Sequence, residues 1–118
     1  MKVIYFGTPD ISAEVLEFLL EKGVNIVAIV TKPDKPKGRS LVRVPTPVKS
    51  KALALRPDIP IYQPEVVSED SFAPILQKYE ADLFVVFAYG EILKNHLLEM
   101  PKVGCINLHA SLLPKYRG

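Results

Sequence analysis

Short runs of apolar and β-branched residues alternate along the chain with segments whose apolar residues recur at helical spacing. Such runs are typical of strands buried on both faces of a parallel sheet. Five strands are predicted, over residues 2–6, 24–31, 59–62, 82–87 and 103–108. Strands that alternate with helices favour an open parallel sheet with helices on both faces. The predicted fold class is therefore α/β and Rossmann-like, with strand order 3-2-1-4-5.

Proline and small polar residues mark the boundaries of four predicted helices. These helices follow residues 10, 46, 67 and 90 and end near residues 23, 56, 79 and 99. Thr8 or Asp10 is expected to cap the first helix, and Thr46 the second. Pro74 either lies in the first turn of the third helix or kinks it. Pro60 cannot donate to a ladder, so the third strand is expected at an edge of the sheet.

The predicted strand order reverses between the first strand and the fourth. Open α/β sheets bind ligands at that point, beyond the carboxyl ends of their strands. Residues 7–10, 88–90 and 107–111 are therefore expected around one crevice. A dinucleotide such as NAD is not the expected ligand, because the first turn has the single glycine Gly7 where the dinucleotide fingerprint has three. Pro9 also removes a backbone donor from that turn.

The composition is that of one ordinary folded domain. The chain has 118 residues, of which 48% are hydrophobic and 24% charged. Its single cysteine, Cys105, cannot form an intramolecular disulfide, which favours the cytosol. Cys105 lies about 13 Å along a strand from His109, so we interpret it as a buried structural thiol and not as a nucleophile. There is no signal-peptide core, membrane-spanning run or Cys/His cluster, so neither membrane nor metal is expected, and His96 is predicted to be a surface residue.

The basic residues are concentrated in one proline-rich segment, residues 32–56. This segment holds eight Lys or Arg side chains against one acidic residue, a net charge of +7, whereas the remainder of the chain carries −5. Its first part, the basic loop 32–45, has no clear hydrophobic period. A local basic loop on an otherwise acidic domain indicates a polyanionic partner. The alternative is a solvated loop whose lysines serve only solubility.

The end of the fifth strand carries an amide and an imidazole, Asn107 and His109. Residues two apart on a strand point to the same face, with Cα atoms roughly 6.5 Å apart. An amide can hydrogen-bond a polarised carbonyl, and an imidazole exchanges a proton near neutral pH. The pair suits attack on an acyl-type carbon. The alternative is a capped strand end with an incidental histidine.

The context of this pair resembles the active-site signature of the tetrahydrofolate-dependent formyltransferases. The resembling stretch is Asn107-Leu108-His109-Ala110-Ser111-Leu112-Leu113-Pro114-Lys115-Tyr116-Arg117-Gly118. Within that family, one branch acts on initiator methionyl-tRNA. This chain resembles that branch in the turn 6–10, the segment 45–49 and the basic loop. The signature alone is shared with relatives that formylate amino sugars or glycinamide ribonucleotide.

The resemblance implies transfer of a formyl group from 10-formyltetrahydrofolate to an amine, here methionine on initiator tRNA. It implies that Asn107 and His109 are catalytic. A second set of residues would bind the folate: Ala88, Tyr89, Gly90, Ser111, Leu112, Leu113 and Pro114. A third set in the basic loop would bind the acceptor stem of tRNA: Lys37, Arg39 and Arg43.

The family pattern also includes parts that these 118 residues do not contain. It has a third catalytic residue, a downstream aspartate, and a carboxy-terminal OB-like domain. Residues 1–118 are therefore expected to form part of a catalytic domain, inactive and prone to self-association when expressed alone. Two alternatives of another class stay open: a non-catalytic module that binds folate or RNA, and a sequence that is simply truncated.

Overall fold

A five-stranded parallel sheet forms the centre of the molecule. The computed structural model of the chain describes residues 1–37 and 42–108, apart from the side chain of Lys37. The sheet comprises β1 (Val3–Gly7), β2 (Ile26–Val30), β5 (Ile61–Tyr62), β6 (Leu83–Phe87) and β7 (Gly104–Leu108). Their spatial order is β5-β2-β1-β6-β7, and every pairing is parallel. The predicted α/β, Rossmann-like class is confirmed.

Two further strands form a separate antiparallel hairpin, which we call the basic hairpin. They are β3 (Lys35–Lys37) and β4 (Val42–Val44), with Lys35 opposite Val44. This hairpin was not predicted and changes the strand numbering. Counted within the sheet alone, the order is the 3-2-1-4-5 of the sequence analysis. The short strand β5 lies at the edge of the sheet, as Pro60 required.

Helices cover both faces of the sheet. On one face, α1 (Asp10–Glu21) and α2 (Pro47–Leu55) bury side chains such as Leu16 and Val48 against Tyr5 and Phe87. On the other face, α3 (Ala73–Gln77) and α4 (Asn95–Leu98) bury Leu76 and Leu97 against Phe6 and Phe84. No helix in the described ranges is both long and apolar enough to cross a bilayer.

The ends of α1 and α2 differ in how well the sequence predicted them. Thr46 caps α2 as expected, accepting a hydrogen bond from the backbone of Lys49 at 3.2 Å. The expected cap of α1 by Thr8 or Asp10 is wrong. Pro9 occupies the N-cap position, and no side chain caps the helix with a hydrogen bond. At the other end, Gly23 has φ +80° and its N–H bonds to the carbonyl of Leu20.

Both helices on the second face are shorter than predicted. The third helix begins at Ala73, which places Pro74 in its first turn and removes the kinked alternative. The fourth was predicted from residue 91 and begins at Asn95. Residues 91–94 are not helical because their polar groups form hydrogen bonds with residues 67 and 68. Glu91 accepts from the backbone N–H of Val67, and the backbone N–H of Lys94 donates to the Ser68 hydroxyl.

Candidate active site at the carboxyl edge of the sheet

The segments that follow β1, β2 and β6 meet where β1 and β6 lie side by side. Gly7 is opposite Phe87 in the ladder. The Thr8 hydroxyl donates to the carbonyl of Tyr89 at 2.5 Å and accepts from the backbone of Lys32 at 3.4 Å. Gly7 and Thr8 therefore contact the backbone at residues 87–89, but no residue of 7–10 lines the cavity beside residues 88–93, so the prediction of one shared crevice is met only in part.

The single glycine of the first turn allows close packing. A Cβ atom at Gly7 would lie 2.8 Å from Cβ of Ser12 and 3.1 Å from the carbonyl oxygen of Phe87. The fully buried Ser12 hydroxyl donates to that same carbonyl. Gly7 thus lets the start of α1 approach the end of β6.

The turn after β6 has an unusual backbone. Ala88 has φ +51° and Gly90 has φ +110°. A left-handed conformation is uncommon for residues other than glycine, and such strain is concentrated at functional sites. Ala88 and Gly90 are exposed, whereas the ring of Tyr89 is buried edge-on against Phe6 with centroids 5.6 Å apart. The buried ring anchors the turn and leaves the neighbouring backbone accessible.

A cavity of about 440 Å³ lies beside this turn. Its walls include the end of β6, residues of the 88–93 loop, and the end of β7: Val86, Phe87, Ala88, Tyr89, Glu91, Ile92, Leu93, Leu98, Cys105, Asn107 and Leu108. Asn107 is exposed and lies opposite Val86 in the ladder. The structure therefore brings the predicted amide beside the predicted turn. His109 lies outside the described residues.

Cys105 precedes Asn107 by two residues on β7 and also lines the cavity. Its thiol is half-buried and not in a disulfide. Burial raises the pKa of Cys105, so the thiol stays protonated at neutral pH. A protonated thiol is a poor nucleophile, which agrees with a structural role.

An ion pair that the sequence analysis missed supports the turn. Lys32 Nζ lies 2.9 Å from Oε1 of Glu91, and each side chain is about three-quarters buried. The ammonium also lies 5.9 Å from the ring centroid of Tyr89. Burial raises the pKa of Tyr89, and the negative charge of Glu91 raises it further. Because 59 positions separate Lys32 from Glu91, local spacing carried no signal for this pair.

Comparison with known proteins shows which family the chain belongs to. The model of the formyl transferase family matches residues 1–118, the whole chain. This chain belongs to the formyl transferase family. A methionyl-tRNA formyltransferase of Protochlamydia amoebophila (strain UWE25) is 67% identical over all 118 residues. Those of Chlamydia abortus (strain DSM 27085 / S26/3) and Halalkalibacterium halodurans are 54% and 52% identical over the same length.

The chain spans only part of the length of these relatives. It covers 36% of the length of the two chlamydial proteins and 37% of the third. The resemblance stated from the sequence motifs is confirmed at the level of the family.

Ion pairs divide the basic segment, residues 32–56, into two parts. Four of its cations face carboxylates at 2.9–3.0 Å: Lys32, Lys49, Lys51 and Arg56. All four lie outside the basic hairpin. Within the described residues, the hairpin cations Lys35 and Arg43 form no ion pair, although Arg43 donates to the backbone carbonyl of Asp34 at 2.6 Å. The two described hairpin cations therefore have no carboxylate at ion-pair distance, although the charge of Arg43, after the hydrogen bonds from Gln63 and Lys49, helps to lower the pKa of Asp34.

The remaining site predictions fall outside what the structure describes. Arg39, Ser111, Leu112, Leu113 and Pro114 lie in the two omitted segments, and only the backbone of Lys37 is placed, in β3. In the described ranges, no three His, Cys, Asp or Glu side chains are grouped as metal ligands.

Proposed function

We propose that this chain is the part of a methionyl-tRNA formyltransferase that binds the formyl donor and begins the catalytic centre. The reaction transfers the formyl group of 10-formyltetrahydrofolate to the α-amino group of methionine on initiator tRNA, in the cytosol. The observation that carries the proposal is the position of Asn107 beside the strained turn at residues 88–90, in a chain matched over its whole length by the formyl transferase family.

Asn107 has the position and chemistry to stabilise an oxyanion. Its amide N–H can donate to the formyl oxygen as the amine nitrogen attacks and negative charge develops there. This amide lines the cavity and is exposed, so a substrate can reach it. His109, two residues on, would take the proton from the attacking amine and return it to the departing nitrogen of the folate.

The cavity beside the 88–90 turn fits the flat, partly apolar ring system of a folate. Apolar walls from residues such as Leu93 and Leu98 suit the ring faces, and backbone polar groups of the turn suit its hydrogen-bonding edge. We propose that Ala88, Tyr89 and Gly90 bind the pterin, with Ser111, Leu112, Leu113 and Pro114 completing the site. The implied chemistry requires no metal.

The basic hairpin supports tRNA as the acceptor over an amino sugar or glycinamide ribonucleotide. Among the described cations of segment 32–56, Lys35 and Arg43 are the two without an ion pair, so their charge can act on phosphate groups. We propose that Lys37, Arg39 and Arg43 contact the acceptor stem. The small acceptors offer no extended row of phosphates for such a hairpin.

The catalytic roles are tested by Asn107→Ala and His109→Ala in the longest natural form of the protein. Each should lower kcat by about 10²–10⁴ with the fold intact. Matched controls are Asn25→Ala and His96→Ala, which alter exposed residues away from the cavity. Near-wild-type turnover of either site variant would remove that residue from the mechanism.

The tRNA role is tested by replacing Lys37 and Arg39 with alanine together. Affinity for initiator tRNA should fall, and the slope of log affinity against log salt should flatten by about 0.7–0.9 per lost phosphate contact. Affinity for the folate should not change. Equal loss of both affinities would make the hairpin structural, and unchanged tRNA binding would make it a solvated loop.

A further inference from the structure

Three polar side chains form a closed ring at the base of the basic hairpin. Lys49 Nζ donates to Oδ2 of Asp34 and to Oε1 of Gln63, each at 3.0 Å. Gln63 Nε2 donates to Oδ1 of Asp34 at 2.5 Å and to the backbone carbonyl of Lys32 at 3.1 Å. The amide of Gln63 thus uses its carbonyl and its amino group within one cluster.

The ring joins three parts of the fold. Asp34 precedes the first hairpin strand, Lys49 lies in the first turn of α2, and Gln63 follows the edge strand β5. Arg43, on the second hairpin strand, adds a bond to the backbone carbonyl of Asp34. The hairpin is therefore tied at its base to a helix and to the sheet.

The ring is too enclosed to be an ordinary surface ion pair. The side chains of Lys49 and Asp34 are only 25% and 21% exposed. Hydrogen bonds from Gln63 and then from Lys49 hold the pKa of Asp34 below its usual range, so its carboxylate is charged at neutral pH. Isolated exposed ion pairs contribute little, whereas charged groups in a satisfied network contribute more.

We propose that Asp34, Lys49 and Gln63 are positioning residues that orient the basic hairpin toward a bound polynucleotide. The inference rests on the proposed function, since it concerns the same tRNA contact. It assigns Lys49, one of the eight basic residues of the segment, to the hairpin base and not to phosphate binding. An acidic residue, Asp34, then promotes binding of a polyanion.

Because Asp34 is acidic, the direction in which Asp34→Ala changes RNA affinity distinguishes a positioning role from simple electrostatics. Asp34→Ala removes a negative charge, so simple electrostatics predicts tighter RNA binding. If the ring orients the hairpin, binding should instead weaken by about tenfold. Gln63→Leu changes no charge and should weaken binding to a similar extent. Asp58→Ala is the matched control, because Asp58 is an exposed partner of Arg56 beyond the far end of α2.

The experiment measures binding of an RNA hairpin that carries the acceptor stem of initiator tRNA, together with folate affinity and amide hydrogen exchange. It uses the longest natural form of the protein. Asp34→Ala and Gln63→Leu should weaken RNA binding, speed exchange in residues 35–44 and leave folate affinity unchanged, whereas Asp58→Ala should bind RNA as tightly as wild type or more tightly.

The other outcomes overturn either the positioning role alone or the proposed function together with it. RNA binding by Asp34→Ala at least as tight as wild type, or unchanged exchange in residues 35–44, would overturn the positioning role alone. Loss of folate affinity alongside RNA affinity would indicate general destabilisation and would also overturn it. A wild-type protein that binds the folate but not the RNA would overturn the proposed function, and the positioning role with it.

Discussion

Gly7→Ala should destabilise the protein through a clash that the structure locates. The new Cβ atom would lie 2.8 Å from Cβ of Ser12, 3.0 Å from Cε2 of Tyr5 and 3.1 Å from the carbonyl oxygen of Phe87. Because that carbonyl belongs to the central strand β6, the start of α1 must shift instead. The shift would lengthen the hydrogen bond from Ser12 to Phe87.

The expected cost has two parts. Overpacking a close contact costs about 1–3 kcal/mol, and weakening one buried hydrogen bond adds about 1 kcal/mol. The free energy of unfolding should therefore fall by about 2–4 kcal/mol, measured by urea unfolding with an unchanged m-value.

A second glycine provides the comparison. Gly23 has φ +80°, and among the described residues no atom beyond its chain neighbours lies within 4 Å of the position that a methyl group would take there, so Gly23→Ala should cost about 1–2 kcal/mol from backbone strain alone. Gly23→Asn should recover part of this loss, because asparagine tolerates the left-handed conformation. Folate affinity should not change in either variant. A loss below about 0.5 kcal/mol for Gly7→Ala would refute the packing argument.

Three further predictions follow from other contacts. Lys32→Met should weaken folate binding several-fold by releasing Glu91, and should cost about 1–3 kcal/mol of stability because it leaves a largely buried carboxylate without its cation, as titration and urea unfolding would show. Tyr89→Phe should raise the free energy of unfolding by about 1 kcal/mol, because the buried hydroxyl of Tyr89 has no hydrogen-bond partner among the described residues; a loss of that size would contradict this account. Expressed alone, the 118 residues should be inactive in formyl transfer and should self-associate on sedimentation, because β7 is paired on one side only in the described sheet and exposes Ile106. A monomer with turnover within about tenfold of the longest natural form would contradict that prediction.

The sheet was predictable because its buried strands appear in the sequence as runs of successive apolar residues. Runs such as residues 83–87 are apolar at successive positions, as burial on both faces requires. The basic hairpin was missed for the opposite reason. Its strands have three residues each, Pro36 interrupts one of them, and the Val-Arg-Val alternation of the other is too short to distinguish a strand from a loop.

The candidate site was predictable where function depends on residue type at a strand end. Asn107 and the turn at residues 88–90 lie at the ends of β7 and β6, where the topology rule places ligands. The supporting contacts were not predictable. The bond between Gln63 and Asp34 joins residues 29 positions apart, and such a contact exists only once the chain has folded.

The acceptor is the most direct test of the account. Purified protein in its longest natural form should be supplied with 10-formyltetrahydrofolate and, in turn, with charged initiator tRNA, an amino sugar nucleotide and glycinamide ribonucleotide. We expect kcat/KM for the methionyl-tRNA to exceed that for either small acceptor by at least about 10³, since only the tRNA presents an extended row of phosphates to the basic hairpin. Comparable transfer to an amino sugar or to glycinamide ribonucleotide would contradict the proposed function.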